Sequence, residues 1–147
     1  MRNTGTAYVG KWGEYIVIAE LLRRGYDVYA PLVDNQGIDC IIRRGDNDYV
    51  DLQIKARSKN CQLQNAGSFN GMKILKPREK YFFILYSERV RTYWIFPSTD
   101  LVAEAVENKE GKTKGKFSIT LTGQKNKEPY PLPEYTKYEN KFDLLRT

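Results

Sequence analysis

GIDCIIRRGDNDYVDLQIKA, residues 37–56, is the stretch on which the reading of this chain turns. Two apolar runs, 38–43 and 49–56, flank Gly45-Asp46-Asn47-Asp48, whose residue types suit a tight reversal, so the spacing predicts a β-hairpin. Successive side chains of a strand face opposite ways. Val50, Leu52, Ile54 and Ala56 therefore share one face and Tyr49, Asp51, Gln53 and Lys55 the other, while Ile38, Cys40 and Ile42 lie opposite Asp39. Polar groups thus recur on strands whose other face is built for a core.

Upstream, AYVGKWGEYIVIAELLRR (7–24) repeats apolar residues at helical spacing and stops at Gly25, which predicts a helix. Gly10 and Gly13 each cost that helix about 1 kcal/mol relative to alanine, a cost that points to close packing on their face. Glu14 shares a face with Ala7, Gly10, Val17, Ile18 and Leu21, the stripe expected to lie on a sheet, where a carboxylate needs a partner, hydrogen bonds or a metal. Tyr26–Ala30 reads as a strand closed by Pro31, and Asp34-Asn35-Gln36-Gly37 as a turn.

Downstream, residues 57–79 are polar, basic and glycine-containing, and read as a long functional loop or flap in which the aromatic Phe69 stands out as a group to watch for base stacking. YFFILY (81–86) has the length and continuous apolarity of a strand covered on both faces, with VRTYWIF (90–96) as its hairpin partner. Pro97-Ser98-Thr99-Asp100 opens a helix through about Val106, a Lys/Gly-rich connector (109–116) precedes a strand at 117–122, and Tyr135, Tyr138, Phe142 and Leu145 predict a short C-terminal helix. The order is that of an α/β or α+β domain, a mixed central sheet flanked by helices, spanning 1–147 as one unit.

Composition narrows the chemistry. The 147 residues include no histidine, which removes Ser-His-Asp and Cys-His catalysis and every imidazole base and leaves acid–base work to carboxylates, Lys or Tyr. Cys40 and Cys61 have no metal-ligand spacing, and Cys40 is expected in the core. No apolar run reaches the roughly 20 residues a bilayer requires, and the polar MRNTGTAYVG start is unlike a secretory signal, so a cytoplasmic protein without a membrane partner is expected.

The residues carry a resemblance. Gly13-Glu14 on a first helix, Gly37-Ile38-Asp39 opening a strand, and Gln53-Ile54-Lys55 on the next resemble the PD-(D/E)XK nuclease superfamily. Small size and the opening GEYIVIAELLRRGYDVYAP are similar to its archaeal-type Holliday junction resolvases and intron-encoded homing endonucleases. The resemblance implies a restriction-endonuclease-like fold and a metal-dependent DNA endonuclease. It further implies catalytic Glu14, Asp39, Gln53 and Lys55, with Mg²⁺ (Mn²⁺ substituting) held by Glu14, Asp39, Gln53 and the carbonyl of Ile54. Lys55 would orient the attacking water or stabilise the phosphate. Most relatives carry an acid where Gln53 stands; an amide adds no charge, which lowers metal affinity and disfavours a second metal.

The net charge of +6 is concentrated: residues 1–54 hold six basic against eight acidic residues, 55–80 seven against one, and 81–147 eleven against nine. Arg57, Lys59, Lys73, Lys76 and Arg78 in the middle segment are the candidate contacts to duplex or branched DNA, and cutting two strands implies a homodimer or higher homo-oligomer. Blander readings stand beside these. Glu14 could pair with Lys11, Arg23 or Lys55, Asp39 could shape a turn, Gln53, Lys55 and Asp51 could be a solvated strand face, and the basic run could be plain surface or bind an acidic protein. A nucleic-acid-binding protein that keeps the fold without its chemistry is the alternative function.

Overall fold

The computed structural model describes residues 5–33 and 37–147; the turn expected at Asp34-Asn35-Gln36 lies outside the described residues. Helix α1 (Thr6–Arg23) leads to β1 (Asp27–Tyr29), β2 (Cys40–Gly45), β3 (Asp48–Arg57), β4 (Ser68–Met72), β5 (Tyr81–Ser87) and β6 (Thr92–Pro97). Then come α2 (Ser98–Glu104), β7 (Val106–Glu107), β8 (Phe117–Thr120), β9 (Thr122–Lys125) and β10 (Glu128–Pro131), with short segments of 3₁₀-helix between and after them.

The main sheet has the order β1-β2-β3-β5-β6. Its one parallel pair is β3 with β5, aligned from Asp51↔Tyr81 to Arg57↔Ser87, because residues 58–80 form the crossover that a parallel connection requires. All seven residues of β5 are buried. One set of their side chains joins Val17, Leu21, Val50, Leu52 and Ile54 under α1, and the other joins Phe69, Trp94, Phe96 and Leu121 under the second sheet, β4-β8-β7. A continuous apolar run is what a strand covered on both faces needs.

Several expectations are corrected. The stretch 57–79 is not one long loop: Leu63–Asn65 is a turn of 3₁₀-helix, and β4 pairs with β8 through Phe69↔Ile119. Phe69 is consequently buried, edge-on to Trp94 at 6.3 Å, and is no stacking platform for a base. The strand expected at 117–122 is two strands in different sheets, parted at Leu121. The second helix stops at Glu104 rather than Val106, and its Ser98 hydroxyl donates to the Arg78 carbonyl instead of capping it.

The C-terminal helix is replaced by two 3₁₀ segments, Pro133–Tyr138 and Phe142–Arg146. Tyr135 and Tyr138, like Phe142 and Leu145, are three apart, which suits a helix of three residues per turn. Asn140, at φ +55°, breaks the path between them, and its backbone N–H donates to the Tyr93 carbonyl while its side chain accepts from the Tyr93 N–H. That exchange covers the β6 edge of the sheet. Among the described residues no helix is long and apolar enough to cross a membrane.

Candidate active site

Gly13 brings α1 onto β3 closely enough that a Cβ built on it would stand 2.3 Å from the Ala56 Cβ. Gly10, by contrast, has nothing within 4 Å of such a Cβ, so the close packing expected at both glycines holds at one. The approach at Gly13 sets the height of the next residue, Glu14, above the sheet.

Asp39 precedes the first ladder residue of β2. Its N–H donates to the Leu52 carbonyl at 2.8 Å, and its Oδ2 accepts the Ile54 N–H at 2.6 Å, a charge-assisted bond. The alternation expected of a regular strand breaks here: Cys40 and Ile42 pack with α1, whereas Ile38 packs with the cluster beneath the second sheet. Gly37, at φ +72° where glycine is favoured, turns the chain into this crossing. Asp39 therefore sits where the chain passes from one face of the sheet to the other.

On the α1 side, Glu14 and Asp39 line one cleft of about 210 Å³ together with Lys11, Tyr15 and Leu32. Lys11 Nζ lies 3.1 Å from Glu14 Oε2, one of the partners that simple pairing anticipates. The buried Cys40 thiol feels these charges: burial first, then Asp39 and Glu14, push it up to about 12.

Gln53 and Lys55 leave β3 on the other face. The Gln53 side chain is buried against Tyr81, with the Gly37 and Lys73 carbonyls each 3.2 Å from its amide nitrogen and the Tyr81 hydroxyl at 3.0 Å. Carbonyls can only accept, so the nitrogen faces them, which turns Oε1 the opposite way. Tyr81, whose phenol is raised by burial above all, was hidden in the sequence as one more residue of an apolar strand. Lys55 is exposed and lines a second cleft of about 140 Å³ with Arg57, Phe69, Asn70 and Met72.

The basic segment divides. Arg57 donates to the Ser68 carbonyl at 2.8 Å and Arg78 pairs with Asp51, while Lys59, Lys73 and Lys76 are exposed. A larger cleft of about 600 Å³ lies beside Arg43 and Arg44, but those guanidiniums are matched to Asp46 and Asp48.

Among the described residues no three His, Cys, Asp or Glu side chains gather as a metal cluster. A cation in the α1-side cleft would thus have two carboxylates, Glu14 and Asp39, and must complete its shell with neutral oxygens or water. An all-oxygen set of that kind suits a hard divalent ion, which keeps several waters. Ile54 is placed to add one: N–H and C=O of a strand residue leave on the same edge, and its N–H already points to Asp39.

No protein-family model and no curated protein matches the sequence. The fold is similar to the solved structure of a bacterial homing endonuclease, I-Ssp6803I, with a TM-score of 0.64, 16% sequence identity, and 96% of this chain and 93% of that chain covered.

Proposed function

We propose that this chain is a divalent-metal-dependent DNA endonuclease of the PD-(D/E)XK kind, acting as one domain and as a homodimer. The observation that carries the reading is Asp39, fixed by the Ile54 amide at 2.6 Å at the edge of the cleft it shares with Glu14. The likeness of the whole fold to a homing endonuclease supports it. Glu14, Asp39 and the Ile54 carbonyl would hold Mg²⁺ or Mn²⁺, while Gln53, expected from the resemblance to join them, is buried on the opposite face of the sheet with its amide on the Gly37 and Lys73 carbonyls. When bound, such an ion supplies charge neutralisation at the scissile phosphodiester.

The chain's own residues do the rest. The Ile54 N–H orients the Asp39 carboxylate before any ligand arrives, so no side-chain freedom is lost on binding. Lys55, exposed on the face of β3 opposite Glu14, offers an ammonium to the phosphate or to the attacking water, a part that histidine plays elsewhere and that no histidine can play here. Lys59, Lys73 and Lys76 supply contacts to the DNA backbone.

The second reading, a DNA-binding protein without chemistry, draws on the Lys11–Glu14 ion pair, which already neutralises one of the two carboxylates. Nicking of supercoiled plasmid and branched DNA separates the two. Mn²⁺ and Mg²⁺ support cleavage, Ca²⁺ supports binding only, and Asp39→Ala loses cleavage while keeping DNA affinity. Folded wild-type protein that binds DNA yet cuts none of these substrates with Mn²⁺ selects the second reading.

A further inference from the structure

Helix α1 has apolar residues almost evenly round its axis, although among the described residues the core covers one side of it. Val17 and Leu21 form the covered row. On the open side Tyr8, Tyr15 and Leu22 are 61%, 66% and 56% exposed. Seven residues fall only about 20° short of two full turns, so these three make a nearly straight row, about 10.5 Å from one to the next. The row continues onto the chain after β1, where Leu32 is fully exposed and Val33 68% exposed, and Tyr15 and Leu32 line a common cleft. A helix apolar all round is ordinarily buried all round.

We propose that this face is where a second copy of the chain docks, the two α1 helices crossing antiparallel with Tyr15 on the twofold axis. In an isologous interface each contact occurs twice, residue i on j and j on i. The equal spacing of seven on either side of Tyr15 meets that condition: Tyr8 of each copy faces Leu22 of the other while Tyr15 faces its twin. The area is sufficient. With the five side chains each contributing on the order of 100 Å², the patch offers roughly 500 Å² per copy and about 1,000 Å² in the pair, the level a specific interface must clear. Arg23 and Arg24 share Glu20 at 2.5 and 2.7 Å, which leaves one net positive charge at that end of the row, and the antiparallel crossing sets this end against the Tyr8 end of the other copy rather than against its own kind. Because Tyr15 and Leu32 also border the Glu14–Asp39 cleft, the interface would place the two candidate sites of the dimer on either side of it.

The surface deepens the homodimer of the proposed function and rests on that reading for its biological purpose. Its deciding measurements, association and cross-linking, need neither DNA nor metal and can fail while the nuclease reading stands. Sedimentation velocity of the wild-type chain shows a dimer at micromolar concentration. Tyr15→Glu, which sets two carboxylates against each other on the axis, weakens the dimer by roughly 30-fold or more, as loss of a central hot spot does, with an unchanged circular dichroism spectrum. Should that variant misfold, cysteine pairing decides in a Cys61→Ser background. Tyr15→Cys cross-links to itself on oxidation; Tyr8→Cys does not, but does so when mixed with Leu22→Cys. A wild-type monomer at about 100 µM, or a cross-linking pattern indifferent to these positions, overturns the proposal. A monomer whose DNA affinity falls with Tyr15→Glu would assign the face to DNA and overturn it equally.

Discussion

Substituting alanine at Gly13 and at Gly10 tests whether the approach of α1 to β3 is what positions Glu14. Both residues lie inside the same helix, so each substitution gains about 1 kcal/mol of helix propensity. At Gly10 the new methyl meets nothing within 4 Å, and the gain should appear nearly whole. At Gly13 it would stand 2.3 Å from the Ala56 Cβ, where carbon atoms rest about 3.5–4.0 Å apart, so α1 must withdraw by more than about 1 Å. Overpacking of this kind costs about 1–3 kcal/mol. Gly13→Ala should therefore lie about 1–3 kcal/mol below Gly10→Ala, the propensity gain cancelling between them. Urea unfolding followed by circular dichroism measures both. Ala56→Gly removes the opposing methyl, and a double-mutant cycle should return a favourable coupling of about 1 kcal/mol or more. A Gly13→Ala protein as stable as Gly10→Ala would refute the reasoning, because the helix would then have no fixed height above the sheet.

The remaining predictions are briefer. Gln53→Glu sets carboxylate oxygens against the Gly37 and Lys73 carbonyls, and should cost about 1–3 kcal/mol in urea unfolding at pH 7. Neutralising Lys59, Lys73 and Lys76 together should flatten the dependence of log affinity for duplex DNA on log salt by roughly 2–3 units, and an unchanged slope would make the run a solvated surface. Burial raises the phenols of Tyr26, Tyr81, Tyr86 and Tyr135, and lifts that of Tyr93, with help from Tyr86, to about 12. Unfolded tyrosines ionise near pH 10, so above that pH the native state binds more protons and stability is lost through the interval from about 10 to about 12. Absorbance at 295 nm against pH, native and in urea, should show the native phenols lagging; coincident curves would contradict the burial.

Much of the site was legible because its cues are local. The hairpin needs only a turn and two alternating runs; Gln53-Ile54-Lys55 lies within it and Gly37-Ile38-Asp39 just before it. What escaped the sequence depends on distant partners. Residues 57–79 lack the continuous apolar run of a core strand, and β4 became legible only once Phe69 was paired with Ile119 and covered by Trp94. Gly10 and Gly13 are equivalent in sequence and differ only because Ala56 lies opposite one of them. Likewise Tyr15 and Val17 are both apolar residues of α1, and which row the sheet covers is settled by tertiary packing.

Alternation along β3 placed Gln53 and Lys55 on one face, but it could not place Asp39, because alternation holds only inside the ladder and Asp39 stands just before it. The consequence reaches the chemistry. Glu14 and the Gln53–Lys55 pair lie on opposite faces of the sheet, and what links them is the Asp39 carboxylate bonded to the backbone of the residue between Gln53 and Lys55. Gln53 contributes to that link from beneath: its amide nitrogen holds the Gly37 carbonyl, two residues before Asp39, and the Lys73 carbonyl of the basic crossover. An acid at this position could accept but not donate, and would leave both carbonyls facing negative charge. Glutamine is thus the residue type able to tie the crossover to the approach of Asp39.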